Sequence, residues 1–182
     1  MRKVIAGLLL ATVSLALQGA ARAEVAASSD SGFVVAGEAE IAGHAPPAVW
    51  QALVQPGGWW NDDHSWSGHA ANMTLDPVAG GCFCEAIPGD AAGSVEHMRV
   101  VQARSGALLV MRGSLGPMQG EALTGVLTIA LSPSADTTGT KFSWTYVVGG
   151  YARYPLTSLA PAVDGVVGEQ MARLQAHLAA AD

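Results

Sequence analysis

The chain has 182 residues, 50% of them hydrophobic, with 9 Lys and Arg against 15 Asp and Glu and a formal net charge of −6. A chain of this size forms one domain with a sizeable core more readily than two. Its acidity offers no basic stripe to neutralise phosphates, which argues against nucleic acid or anionic lipid headgroups as the main partner.

The N-terminus reads as an export signal. Arg2 and Lys3 precede an apolar run from Val4 to Leu17, and Ala21-Arg22-Ala23 places small residues around a cleavage point. That run is shorter than the roughly 20 residues a membrane-spanning helix needs. The expectation is a signal peptide over residues 1–23, cleaved near Ala23, and a free periplasmic or secreted protein with no stable membrane insertion. Cleavage there removes Arg2, Lys3 and Arg22 and no acid, leaving six basic against 15 acidic residues and a formal charge of −9. Residues 24–32, small and polar, read as a flexible leader. The domain proper is expected over 33–182.

Phe33, Val35, Ala39 and Ile41 alternate with Glu38 and Glu40, the period of a half-buried strand. Pro46 and Pro47 suit a helix start, and Val49, Trp50 and Leu53 share a helical face until Pro56-Gly57-Gly58 stops it. Short β-like runs follow over 71–75, 81–87, 94–103, 107–113, 122–132 and 140–149, separated by turn residues such as Asp76-Pro77, Pro88-Gly89-Asp90 and Thr137-Thr138-Gly139. Short connections favour an antiparallel meander. From Leu156 to Ala181 the period changes. Leu156, Leu159, Val163, Val166, Val167, Gln170, Met171, Leu174 and Leu178 form one stripe of a long amphipathic helix.

This order of elements resembles the START-like, or SRPBCC, superfamily of helix-grip proteins, as do Ala45-Pro46-Pro47-Ala48-Val49-Trp50, the Trp59-Trp60 turn and Tyr146-Val147-Val148-Gly149-Gly150-Tyr151. The runs around His64, Cys82 and His97 look like those of an uncharacterised secreted bacterial branch. The resemblance implies an α+β helix-grip fold: a curved antiparallel β-sheet of about seven strands wrapped around the C-terminal α-helix, with short helices after the first strand. It also implies a hydrophobic cavity between sheet and helix. It carries no catalytic residue onto this chain.

Cys82 and Cys84, two apart on a strand, place both side chains on one face, with Cα atoms expected about 6.5–7 Å apart, at the far edge of disulfide geometry. Two packed thiols are the leading expectation and a disulfide the second. A zinc shell of Cys82 and Cys84 with His64, His69 or His97 is a third, though Cys-x-Cys lacks the usual spacer. No metal or other cofactor is expected. Strict alternation puts His97 and Arg99 on one face and Glu96 and Met98 on the other. Inside a cavity, His97 assisted by Glu96 is the candidate general base, and Arg99 or Arg112 could grip a carboxylate. Trp59, Trp60 and Trp66 bracket His64 in a turn-rich stretch, where they either seal the core or stack on a ligand. Trp144, Tyr146 and Gln170 are placed to face a cavity, Gln170 needing a partner if buried.

No Gly-rich phosphate loop, Gly-x-Ser-x-Gly elbow or His-Glu-x-x-His helix is present. The leading expectation is therefore non-catalytic binding of a small apolar or amphipathic molecule. The alternatives are a polyketide-cyclase-like enzyme acting on a carbonyl compound and an interaction domain with a filled interior.

Overall fold

The computed structural model describes residues 21–89, 92–135 and 138–180. Residues 1–20 of the expected signal peptide, and Asp90 and Thr137 in two expected turns, lie outside them. Strands β1 (Arg22–Ser29) and β2 (Gly32–Ile41) are followed by helix α1 (Pro46–Leu53), then β3 (Met73–Leu75), β4 (Cys82–Ile87), β5 (Gly93–Arg104), β6 (Leu108–Gly113), β7 (Ala122–Pro133) and β8 (Thr140–Tyr151), and helix α2 (Leu156–Ala179) closes the chain. The strands form one antiparallel sheet in the order β1-β2-β8-β7-β6-β5-β4-β3. This is the expected α+β helix-grip arrangement with one strand more. No helix among the described residues is long and apolar enough to cross a membrane.

The additional strand is a correction. Residues 24–32, read as a flexible leader, form most of β1 and the turn into β2. Val25 lies opposite Val35, and Ser28 opposite Phe33. Small side chains mislead here because β1 is an edge strand: its backbone hydrogen bonds to β2, not a buried apolar face, hold it in place. Against α2, small residues allow close approach: a Cβ placed on Gly168 would come within 2.7 Å of the Ala23 Cβ.

Where alternation is clean, the fold follows it. Leu127, Ile129 and Leu131 of β7 lie opposite Tyr146, Trp144 and Phe142 of β8, and all six are buried. Leu156, Val163, Val167, Met171, Leu174 and Leu178 of α2 are buried in the same core, and the helix packs against β1 and β2. Burying each such side chain stabilises the fold by roughly 1.5–3 kcal/mol, which binds helix and sheet into one layer pair.

Two irregularities interrupt the pairing of β5. Phe83 pairs with Met98 and Cys84 with Glu96, so His97 is an extra residue without a partner on β4; Val101 is passed over in the same way against β6. Such bulges break the two-residue period. His97 and Met98 are consequently both buried, whereas Glu96 and Arg99 on either side are exposed.

Candidate functional site

A half-open cavity of about 440 Å³ lies beneath the N-terminal half of α2. Leu159, Val163 and Val166 of α2 form one wall, Leu115 and Met118 another, and Trp60, His64 and Trp66 come from the loop after α1. His97, brought in by the bulge, supplies its buried polar side chain. The loop is pinned to α2. Gln170 accepts from the Asn61 amide at 2.8 Å, His64 lies 3.2 Å from Glu169, and Arg173 donates to the Trp59 carbonyl at 3.0 Å.

Behind His97 stands Glu85, 1% exposed, with its Oε2 at 2.9 Å from His97 Nε2. Glu85 also accepts the Trp66 amide at 3.1 Å and the Ser67 amide at 2.5 Å. A row of rings leads to the pair: Trp59 to Trp60 at 5.5 Å, Trp60 to Phe83 at 5.4 Å and Phe83 to His97 at 5.0 Å. Burial disfavours the Glu85 charge, but hydrogen bonds from Ser67, Trp66 and His97 outweigh it and hold its carboxyl below the usual range. For His97, burial prevails over the attraction of Glu85 and lowers the imidazole below its ordinary value. The resting pair near neutral pH is an ionised carboxylate and a neutral imidazole.

These directions set a pH dependence. As pH falls through 6.5, the ordinary imidazole value, the unfolded chain takes up a proton that folded His97 resists; below 4.5, Glu85 adds a loss of the same sign. Asp164, raised by burial and by Glu24, acts in the opposite sense. Urea midpoints should decline between pH 7.5 and 5, and more steeply in the wild type than in His97→Phe. Equal slopes would refute a neutral buried His97.

Of the side chains picked out from sequence, Trp60, His64, Trp66 and His97 are brought together around the cavity. The others lie elsewhere. Trp59 is 5% exposed and donates to the Ala52 carbonyl at 2.9 Å. Trp144 and Tyr146, expected to face a cavity, are buried in the core instead, at 1% and 0% exposure. The Tyr146 hydroxyl donates to the Gly113 carbonyl at 3.2 Å and accepts from the Leu115 amide at 3.3 Å, and so fixes the segment carrying Leu115. Gln170 is fully buried with a structural role, bonded to Asn61 and to the Val166 carbonyl at 3.4 Å.

The shared face of His97 and Arg99 does not exist. The bulge turns Arg99 outward to pair with Glu96, and Arg112, its neighbour on β6, is exposed as well. Glu96 therefore stands away from the imidazole, and Glu85 takes the place assigned to it. One signal could have found Glu85: by alternation it shares a face with the buried Phe83.

Cys82 and Cys84 are joined in a disulfide with Cα atoms 5.4 Å apart. The strand is less extended here, opposite the bulge, than regular β geometry implies, and the expectation of two free thiols is corrected. The zinc alternative thereby loses both thiolates; no group of three or more metal-binding side chains occurs among the described residues. Since the bond closes a very short ring, reduction is expected to lower stability by roughly 1–2 kcal/mol, below the usual 2–4. Urea midpoints with and without reductant check this, and a loss above about 4 kcal/mol would contradict it.

No family model and no curated protein matches the chain. Solved structures do. A protein from Rhizobium leguminosarum superposes with a TM-score of 0.56 at 17% identity, over 88% of this chain and 98% of its own. A Mesorhizobium loti protein does so with 0.55 at 20% identity, over 82% and 98%. Ara h 8.0201 gives 0.53 at 13% identity, over 82% and 99%. These likenesses show the fold, an α+β helix-grip arrangement.

Proposed function

We propose that this protein, exported by way of residues 1–23, binds a small apolar or amphipathic molecule in the periplasm or outside the cell. The carrying observation is the half-open cavity of about 440 Å³, walled mainly by aliphatic and aromatic side chains with one buried polar group. Ligand sites of roughly 300–1,000 Å³ have this make-up. The Cys82–Cys84 disulfide supports an oxidising compartment. A space of this size gives little support to an interaction domain with a filled interior.

Titration with the apolar dye Nile red should enhance dye fluorescence in the wild type and not in Val163→Trp, whose indole occupies the space. Equal enhancement by a folded Val163→Trp sinks the reading. A cyclase-type enzyme is a second reading, favoured by a neutral imidazole backed by a carboxylate. It requires accelerated exchange of the α-protons of 2-tetralone in D2O, lost in His97→Asn; absence of acceleration rules out base chemistry on such ketones.

A further inference from the structure

We infer that the cavity selects neutral apolar molecules carrying a hydroxyl group, because the polar atom it offers at depth is a hydrogen-bond acceptor, Nδ1 of His97. This rests on the cavity being a ligand site.

The argument begins at Glu85. The Trp66 and Ser67 amides can only donate, so the carboxyl oxygens they meet at 3.1 and 2.5 Å are acceptors. The Oε2 that receives Trp66 is also 2.9 Å from His97 Nε2, and toward an ionised carboxylate that nitrogen is the third donor. A neutral imidazole carries one N–H, and here it is on Nε2, leaving a bare lone pair on Nδ1. Nδ1 has no hydrogen-bond partner among the described residues, and His97 lines the cavity as well as a second, more open pocket beside Glu96 and Gln119.

The surroundings sharpen the selection. Three donors on the wall are engaged, Trp60 Nε1 with the His64 carbonyl at 3.0 Å, the Leu115 amide with Tyr146, and the Ser65 hydroxyl with the Asp62 carbonyl at 2.8 Å, while the Trp66 indole N–H, without a partner among the described residues, belongs to a side chain 53% exposed. No Lys or Arg is among the lining residues. The charged or titratable groups around the cavity are Glu85 behind the imidazole, with Asp63 and His64 on the loop. A carboxylate ligand finds no counter-ion there, and an ether or ketone sets its lone pair against that of Nδ1. A hydroxyl donates to it.

The test uses three size-matched probes, 2-naphthol, 2-methoxynaphthalene and 2-naphthoate, titrated against the full folded protein at pH 7.5 with binding heat as the readout. The naphthol should bind about tenfold or more tightly than either other probe, the worth of one net hydrogen bond. In His97→Phe the naphthol and the ether should bind equally.

Imidazole 15N shifts of the wild type give a readout independent of any variant's folding, with the proton on Nε2. Naphthol binding no better than the ether, or a proton found on Nδ1, overturns the inference while leaving the binding reading intact. If neither the naphthalenes nor Nile red bind, both fall.

Discussion

The Glu85→Ala variant is expected to lose about 2–4 kcal/mol of folding stability, because three hydrogen-bond donors lose their common acceptor. The carboxylate is the common acceptor for the Trp66 and Ser67 amides and for His97 Nε2. Deleting it orphans two backbone donors in the loop that forms the cavity mouth, and each unsatisfied buried group costs roughly 1–3 kcal/mol. The damage should therefore be local in origin and global in effect: a lower urea midpoint, and earlier amide exchange from 62 to 69. Glu96→Ala is the control, because Glu96 is half exposed and its pairing with Arg99 contributes about 0–1 kcal/mol. Losses of equal size in the two variants would show that Glu85 does not organise the site.

Adding a single methyl group at Gly125 should be nearly as damaging. A Cβ there runs into the Tyr146 ring, 2.7 Å from its Cζ and 2.8 Å from its hydroxyl. Both residues are buried between β7 and β8, so the ring has nowhere to retreat, and overpacking of this kind costs roughly 1–3 kcal/mol. Displacing the ring also breaks its bonds to the Gly113 carbonyl and the Leu115 amide. Gly125→Ala is thus expected to lower stability and to weaken Nile red binding together. Tyr146→Phe, which keeps the ring and loses only the hydroxyl, should destabilise by about 1 kcal/mol. A Gly125→Ala protein as stable as wild type would mean that the sheet yields at this point.

Much of the fold could be read from residue order. The alternation of β7 and β8 and the three-and-four spacing of α2 each report a one-sided element, and one-sided elements must cover one another. The site was only partly legible. Trp60, His64 and Trp66 announced themselves as aromatic and polar residues crowded into a turn, and His97 stood out as a histidine in an apolar strand. Its partner did not, because periodicity carried through His97 as though β5 were regular and so joined it to Arg99 and detached it from Glu85. Alternation also shows which residues share a face without showing where α2 ends its contact. Trp144 and Tyr146 therefore could not be assigned to core or cavity by pattern alone. β1 failed for another reason: an edge strand held by backbone pairing leaves almost no hydrophobic trace.

The supernumerary residue in β5 has a consequence for descent as well as for geometry. In a chain of this fold without it, the side chain at that point would face water, and no point substitution there could set an imidazole against the inward carboxylate. The pair as it stands therefore depends on the length of the strand as well as on its two side chains. Among relatives, the count of residues between the turns flanking β5 should track the presence of the dyad more faithfully than overall identity does.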